Sequence, residues 1–233
     1  PEEITRRSVA EIVTQETYLG DFPKMGGLFD QRMGTVEMNL ACLTDELNSS
    51  LCPGYFGHIN LAMPVFYPHF MKHVINLLKC ICFKCSRLLV TPTPELLENY
   101  NNRSRFEIIR KLCSKVKVCG THNKCGCGTP QPTKYSKDLI NFIKAEWKST
   151  TGNKSASNPD IKKVKLYASD VLKIFARIHE SEYQYLGLDK NWCRPTSLIC
   201  SVLPVAPPGV RPSVKQDNNQ RMEDDLTHKY CDI

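Results

Sequence analysis

The sequence predicts an α+β fold, an irregular mixed module of helices and short strands with a four-cysteine zinc site. Apolar residues recur at helical spacing in several segments, and short apolar runs bounded by proline or glycine lie among them. A CxxC pair and a second close pair of cysteines lie in the middle of the chain. With 233 residues, 41% of them apolar, the chain can bury a core in one domain or in two small ones.

The N-terminal segments predict turns, one short strand and one helix. Residues 1–50 show little periodicity, and the three glycines of Lys24–Gly34 indicate turns. The apolar run Ile59–Met63 predicts a short strand that ends at Pro64. Apolar residues at helical spacing predict a helix over His69–Leu78, which leads into the CxxC pair.

The central segments predict two helices and a strand. Pro94 suits the first turn of a helix, with Glu95 near its positive end. An apolar stripe predicts a second helix over Arg103–Val116. The segment Tyr135–Lys148 is rich in β-forming residues and predicts a strand.

The next segments predict a flexible loop, a helix, a strand and a proline-rich connector. A flexible loop is expected at about 149–160, which is rich in Ser, Thr, Asn and Gly. Ser169 is the predicted N-cap of the helix that follows. Leu198–Val205 predicts a strand, and the three prolines of Ala206–Val214 predict an extended, polyproline-like path.

The last segment, Gln220–Ile233, predicts the start of a helix, with Glu223–Ile233 helical. Acidic residues crowd its first turn, where the helix dipole favours negative charge. Its apolar stripe consists of Met222, Leu226, Tyr230 and Ile233. A helix this short is marginal on its own, so the stripe must pack on something.

Composition excludes several classes of protein. No run of about eighteen apolar residues is present, so no transmembrane helix and no membrane partner are expected. The N-terminus lacks a signal-peptide apolar region and begins with Pro1, so we expect a processed chain or a fragment. The 12 cysteines could suggest a secreted disulfide protein. A chain able to build a core, without a visible secretory signal, favours a reducing compartment and metal-binding cysteines instead.

The net charge of +7 is unevenly distributed. Residues 101–148 hold 11 Arg and Lys against three acids, whereas residues 1–50 hold four against nine. A basic surface of this kind can face the phosphates of nucleic acid, although a solvated helix surface is the simpler interpretation. The candidate phosphate-facing residues are Arg103, Arg105, Arg110, Lys111, Lys115 and Lys117.

The spacing of the central cysteines favours zinc. The two-residue spacer of Cys82 and Cys85 lets two thiolates face one tetrahedral ion, and Cys119 and Cys127 form a second pair among glycines. Cys125 is an alternative ligand to Cys127, and His122 a weaker one. Basic neighbours, Lys84, Lys117 and Lys124, would favour thiolates. Cys80 and Cys113, on apolar helix faces, fit the simpler interpretation of buried thiols.

A second, incomplete cluster lies upstream. Cys42 and Cys52 are spaced like half of a zinc site, but Asp45 and Tyr55 stand where Cys and His would be needed. Aspartate can bind zinc, whereas tyrosine rarely does. His58 lies three residues beyond Tyr55.

Seven segments in order carry a family resemblance: PEEITRRSVAEI, GGLFDQRMGTVEMNLAC, CPGYFGHINLAMPVF, CICFKCSRLL, CGCGTPQPT, RPTSLICSVLPVAPPGVRPSV and QRMEDDLTHKYCDI. They resemble the N-terminal clamp region of the largest subunit of multi-subunit DNA-directed RNA polymerases, in the eukaryotic and archaeal branch and closest to the RNA polymerase II type. The resemblance spans nearly the whole chain. It implies a clamp core and clamp head over 1–203, with a zinc-binding segment at about 80–130, and a proline-rich connector and the start of the clamp coiled coil over 204–233.

The resemblance also implies a ligand set. The family's zinc ligands fall on Cys82, Cys85, Cys119 and Cys127, which implies one Zn²⁺ per chain and leaves Cys125 as an extra. The family's other clamp zinc site falls on Cys42, Asp45 and Cys52 with Tyr55, so a degenerate second site is expected to have lost its metal. The substitutions there are typical of a divergent polymerase, of cellular or viral origin.

What the resemblance implies about function is mechanical. The catalytic NADFDGD element, which holds Mg²⁺ for nucleotidyl transfer, is expected beyond Ile233, so this fragment alone is not expected to be catalytic. The implied partners are DNA, other polymerase subunits including the second-largest, and initiation and NusG-type elongation factors at the coiled coil. The implied location is nuclear for a cellular eukaryotic chain, and cytoplasmic or in the virion for a viral one. The alternative is a free-standing zinc-binding nucleic-acid module of the transcription factor type.

Overall fold

The structure is a computed structural model that describes residues 1–121, 126–138, 142–148, 161–215 and 221–233. The loop expected at about 149–160 lies outside the described residues. The same holds for Lys124 and for the two alternative metal ligands, His122 and Cys125.

Helices and short strands alternate along the described residues, which confirms the α+β prediction. The helices are α1 (Glu2–Arg7), α2 (Met71–Leu78), α3 (Glu95–Asn99), α4 (Asn102–Cys113), α5 (Ala168–Ala176), α6 (Glu180–Tyr183) and α7 (Asp225–Cys231). The strands are β1 (Ala10–Glu11), β2 (Tyr18–Leu19), β3 (Phe22–Pro23), β4 (Gly57–Phe66), β5 (Lys134–Asp138), β6 (Phe142–Lys148), β7 (Ile161–Leu166), β8 (Ile199–Val205), β9 (Val214–Lys215) and β10 (Arg221–Met222). None of the helices in the described part of the chain is long and apolar enough to cross a membrane.

The chain divides into two compact units. The terminal unit consists of Pro1–Met63 together with Ser201–Ile233, and the central unit consists of Pro64–Cys200. In the terminal unit the C-terminal segment packs with the N-terminal one. Arg211, for example, donates to the carbonyl of Leu28. The boundary at 203/204 that the resemblance implies stays a prediction.

The central unit is built around one apolar core that α2, α4, α5 and the antiparallel sheet β5-β6-β7 share. Alternate residues of the sheet face this core, with Tyr135 opposite Ala145 in the strand register. The apolar stripes of the helices face it as well, as their 3.6-residue period predicts. The most deeply buried residues of the core include Val74, Leu78, Ile109, Ile143, Val171 and Phe175.

The predicted elements of the central unit are confirmed, with changes at their ends. The helix predicted from His69 begins at Met71, and the one predicted over Arg103–Val116 runs from Asn102 to Cys113. Asn101 caps α4, because its side chain accepts a hydrogen bond from the Ser104 amide at 2.9 Å. The single strand predicted over Tyr135–Lys148 is two strands, β5 and β6, of one sheet.

The prediction that Ser169 caps α5 is wrong. The helix begins one residue earlier, at Ala168, and the N-cap position is Tyr167. The Asp170 carboxylate accepts a hydrogen bond from the Tyr167 amide at 3.1 Å. The Asp170 side chain, in the first turn of the helix, therefore caps the N-terminus by accepting from the amide of the N-cap residue.

Two strand predictions also need correction. Pro64 does not end β4, which continues to Phe66. Proline has a φ angle compatible with extended backbone and lacks only one hydrogen-bond donor. The connector after β8 is not extended throughout, because Pro208–Val210 forms a 3-10 turn closed by amide hydrogen bonds of 3.1 Å to the carbonyls of Pro207 and Pro208.

The terminal unit has a small core of its own. It contains Ala10, Ile12, Leu28, Phe29, Met33 and Val205. Strand β1 pairs in parallel with β4, with Ala10 opposite Gly57.

Arg211 is fully buried in the terminal unit. It donates to the carbonyl of Ala206 at 2.9 Å, to the Thr227 hydroxyl at 3.2 Å, and to the carbonyl of Leu28. Its guanidinium lies 5.0 Å from the centre of the Phe29 ring. A buried cation with these partners fixes the connector against the N-terminal segment.

The C-terminal helix is present but shorter than predicted. It spans Asp225–Cys231, and the Asp224 side chain caps it by accepting from the Leu226 amide at 3.0 Å. Met222 lies in β10 instead, paired with Val214. The predicted apolar stripe is therefore incorrect in part: Leu226 remains exposed, and the buried face carries Thr227.

Candidate metal centre

The first half of the cysteine cluster is a tight loop that we call the central knuckle, Ile81–Leu88. An isolated antiparallel bridge joins its first and last residues. The Cys82 amide donates to the Arg87 carbonyl at 2.8 Å, and the Ser86 amide donates to the Cys82 carbonyl at 2.9 Å. The chain turns at Ser86, whose φ of +60° is unusual for a residue other than glycine. This turn points the thiols of Cys82 and Cys85 in the same direction.

The second half of the cluster approaches from the segment after α4. The Cys119 amide donates to the Thr129 carbonyl at 3.0 Å, which brings Cys119 and Cys127 close together. Glycine is required here, because a Cβ on Gly126 would lie 2.0 Å from the Cα of Gly120. Gly120 also has a φ of +102°. The glycines that the sequence places among these cysteines thus allow the backbone to fold closely around the site.

The four predicted thiols meet at one point. The sulfurs of Cys82, Cys85, Cys119 and Cys127 lie within 4.8 Å of one another. The Cys82 and Cys127 sulfurs are 3.5 Å apart, and the Cys85 and Cys119 sulfurs are 3.8 Å apart. All four are free thiols. A tetrahedral zinc ion with Zn–S bonds of about 2.3 Å requires sulfurs about 3.8 Å apart. The arrangement of donors therefore fits zinc.

Two polar side chains, Gln131 and Thr129, form hydrogen bonds with sulfurs of the cluster. The buried Gln131 amide donates from Nε2 to Cys82 Sγ at 3.2 Å, and its Oε1 accepts from the Phe83 amide at 2.9 Å. The Thr129 hydroxyl lies 3.1 Å from Cys127 Sγ, and this hydrogen bond lowers the pKa of Cys127 to about 6. Each side chain therefore orients one sulfur of the cluster.

Two other thiols of the cluster, Cys85 and Cys119, resist ionisation without a cation. Burial raises the pKa of Cys119 to about 12, and burial together with the neighbouring thiols raises the pKa of Cys85. A divalent cation would lower these pKa values, since a coordinating thiol loses its proton. Lys84 and Lys117, two of the basic neighbours expected to favour thiolates, are exposed.

Sequence reasoning missed Gln131 as part of the site. The available signal was its position four residues after Cys127, in a loop whose other polar residues are short threonines. The spacing alone does not indicate that this amide is buried. Only the pairing of Val118 with Pro130 brings it beneath Cys82.

Cys80 and Cys113 are buried thiols, as predicted. Each is at most 2% exposed and belongs to the core of the central unit. Cys80 Sγ donates to the Asn76 carbonyl, one helical turn earlier, at 3.3 Å. Neither belongs to the four-sulfur cluster.

The basic residues of the α4 region do not form one uniform surface. Arg105 is wrong as a phosphate-facing candidate, because its side chain is buried and donates to the carbonyls of Leu96, Gln184 and Tyr100 at 3.1, 2.7 and 2.9 Å. Such a guanidinium holds three segments together and has no free face for an anion. The others are exposed except for Arg110, which is half-buried: Arg103, Lys111, Lys115 and Lys117.

The upstream cluster is also brought together. The sulfurs of Cys42 and Cys52 and a carboxylate oxygen of Asp45 lie within 4.8 Å of one another. The Tyr55 hydroxyl donates to Asp45 Oδ2 at 3.1 Å. His58 is not part of this cluster, since its Nδ1 lies 2.8 Å from the Ser8 hydroxyl.

The electrostatics of the upstream cluster differ from those of the first. Partial burial acts to raise the pKa of Asp45, but the Leu47 amide and the side chains of Cys52, Cys42 and Tyr55 donate to the carboxylate, so its pKa lies below the usual range. Burial raises the pKa of Cys52 to about 11. The anion at this site is the carboxylate of Asp45, which accepts from the Tyr55 hydroxyl and the Leu47 amide.

Comparison with known proteins gives one family over the full chain. The sequence model of the family described as RNA polymerase Rpb1, domain 1, matches residues 1–233. The DNA-directed RNA polymerase II subunit RPB1 of Euplotoides octocarinatus is 40% identical over 243 aligned positions, which cover 100% of this chain and 50% of the relative. The chain thus spans about half the length of the curated relative that it matches.

Proposed function

This chain belongs to the family of RNA polymerase largest subunits, as Rpb1 domain 1, and from that premise we propose that it is the clamp part of a DNA-directed RNA polymerase. In this role it closes over the DNA cleft during DNA-templated transcription. The observation that carries the proposal is the family match over residues 1–233. A free-standing zinc module would require only the segment around the cysteine cluster.

The zinc ion has a structural role in this proposal. Cys82, Cys85, Cys119 and Cys127 would hold it, and none of the four coordination positions remains open for a substrate. When bound, zinc supplies a cross-link between the central knuckle and the segment after α4. Gln131 and Thr129 orient two of the ligands through the hydrogen bonds described above.

The proposed partner of the clamp is DNA, bound through its backbone rather than its bases. The exposed side chains of Arg103, Lys111, Lys115 and Lys117 provide positive charge along α4 and the segment after it. Arg105 contributes indirectly, because it fixes the start of α4. The other proposed partners are the remaining polymerase subunits, including the second-largest.

Further proposals follow from the family for the C-terminal helix and the location of the protein. Initiation and NusG-type elongation factors would dock on the coiled coil that α7 begins. The exposed apolar side chains of Leu226 and Ile233 are available to a partner helix of that coiled coil. The protein would act in the nucleus, as a subunit of a polymerase that uses Mg²⁺ bound elsewhere in the full-length subunit.

A distance measurement in the assembled polymerase tests the clamp proposal. A fluorophore replaces Trp192, which is 90% exposed on the central unit, and an acceptor is attached to the second-largest subunit. Adding template DNA should shorten the distance between the two dyes, because the clamp closes. An unchanged distance, in polymerase shown by gel shift to be bound to DNA, would contradict the proposed movement.

A further inference from the structure

The loop Ala41–Asn48 repeats the backbone geometry of the central knuckle, and we call it the terminal knuckle. Each loop is closed by an isolated antiparallel bridge between its first and last residues. Each also turns at its sixth residue: Glu46 has a φ of +59° and Ser86 a φ of +60°. Among the described residues, these are the non-glycine residues with positive φ.

The hydrogen bonds of the two loops correspond as well. The Cys42 amide donates to the Leu47 carbonyl at 2.9 Å, as the Cys82 amide does to its counterpart at 2.8 Å. The Glu46 amide donates to the Cys42 carbonyl at 2.9 Å, the same distance as in the central knuckle. This correspondence places Asp45 at the position of the metal-facing Cys85.

At the centre of the terminal knuckle lies the carboxylate of Asp45. Its Oδ2 accepts from the Tyr55 hydroxyl at 3.1 Å, and its Oδ1 accepts from the Leu47 amide at 3.0 Å. The sulfurs of Cys42 and Cys52 lie within 4.8 Å of a carboxylate oxygen of Asp45, and Cys42 Sγ donates to the Arg32 carbonyl at 3.8 Å. Both carboxylate oxygens are therefore already used by donors from the protein.

We propose that the terminal knuckle is a metal-free fastening in which the Asp45 carboxylate takes the place of a metal ion. The charges are the reverse of those at a zinc site. There a cation gathers anionic sulfurs, whereas here one anion accepts hydrogen bonds from the Tyr55 hydroxyl and the Leu47 amide, with the two sulfurs beside it. A zinc ion would have to displace the phenol and remove protons from both thiols, and the phenol is a poor zinc ligand.

The fastening holds its loop against the preceding turn. The Leu43 amide donates to the Gln31 carbonyl at 3.1 Å, and the Tyr55 amide donates to the Met33 carbonyl at 2.9 Å. The Thr44 hydroxyl donates to the Arg32 carbonyl at 2.6 Å. These contacts attach both ends of the cluster to Gln31–Met33 without a metal. This inference concerns the terminal unit and does not rest on the polymerase assignment.

Metal counting in variants of the full-length subunit tests the proposal. Cys42→Ser should leave the zinc content unchanged, whereas the matched change Cys85→Ser in the central knuckle should remove one zinc per chain. The double variant Asp45→Cys with Tyr55→His should gain one zinc per chain, because the backbone already has the geometry of a metal knuckle. Loss of one zinc in Cys42→Ser, or no gain in the double variant, would overturn the proposal.

Hydrogen exchange on the unaltered protein provides a test that does not depend on the folding of a variant. A strong chelator should abolish protection of the amides of Cys82 and Ser86, because their loop loses its ion. The corresponding amides of Cys42 and Glu46 should keep their protection under the same conditions. Parallel loss of protection in both knuckles would show that a metal holds the terminal knuckle too.

Discussion

Replacing Cys85 by serine should remove the zinc ion and destabilise the central unit. Serine keeps the size of the side chain but is a poor zinc ligand, so three thiols remain at the site. The matched control is Cys193→Ser, the same change in the same unit. Cys193 is half-buried and lies outside the metal-type clusters found among the described residues.

The expected magnitude follows from the loop that the metal closes. Cys85 and Cys119 are 34 positions apart, and the chain-entropy relation for a cross-link gives about 4 kcal/mol for such a loop. The control should lose about 1 kcal/mol, which is ordinary for a point substitution. If the free energy of unfolding falls by about 2 kcal/mol per molar urea, the midpoint of unfolding should differ by about 1.5 M between the two variants.

Trp147 provides the assay. Its ring packs edge-on against Phe83, inside the central knuckle, with ring centres 5.2 Å apart, and its Nε1 donates to the Pro130 carbonyl at 3.0 Å. In a Trp192→Phe background the fluorescence of this chain reports on the metal centre alone. Zinc content is measured in parallel. If Cys85→Ser retains one zinc per chain, or unfolds at the same urea concentration as the control, the four-thiol assignment is incorrect.

Three further outcomes are expected. Arg211→Met should destabilise the terminal unit by several kcal/mol, because it leaves two carbonyls and the Thr227 hydroxyl buried without their donor. Thermal melting measures this loss of stability. A loss below about 1 kcal/mol would show that water replaces the guanidinium. The double variant Lys111→Glu with Lys115→Glu should lower the slope of log affinity for DNA against log salt concentration by about 2. The same change at two exposed lysines of β7, Lys162 and Lys163, should leave the slope unchanged. Equal slopes for the two double variants would exclude the α4 surface as a DNA contact. Burial raises the pKa of Glu182, so this side chain binds a proton more tightly in the folded state than in the unfolded state. The stability that it provides is therefore lost as the pH rises above the ordinary pKa of glutamate. Glu182→Gln should flatten that loss in pH-dependent denaturation, and an unchanged pH profile would contradict this reasoning.

The sequence was most informative where a period or a spacing determines the structure. The helix stripes, the apolar run of β8 and the spacing of Cys82 and Cys85 all correspond to elements of the structure. Each depends on neighbours close in sequence, which a period can reveal.

The sequence was least informative where a partner distant in sequence determines the structure. The burial of Arg105 depends on the Gln184 carbonyl, 79 positions away, and that of Arg211 on the Leu28 carbonyl, 183 positions away. An arginine that binds phosphate and one that binds carbonyls look the same in a sequence. That the two ends of the chain form one unit was not predicted for the same reason, since it depends on packing between segments far apart in sequence.

The discontinuity of the terminal unit has a consequence for biosynthesis. A ribosome that makes this chain at about 5–20 residues per second completes the synthesis of the central unit before it reaches Ser201, while the last residues of that unit are still inside the exit tunnel. The first 63 residues have left the ribosome by then and still lack their C-terminal partner. During that interval the carbonyl of Leu28 lacks its donor, because Arg211 has not yet been translated. A released chain that ends before Arg211 should accordingly be cleaved by protease in the N-terminal segment and resist cleavage in the central one.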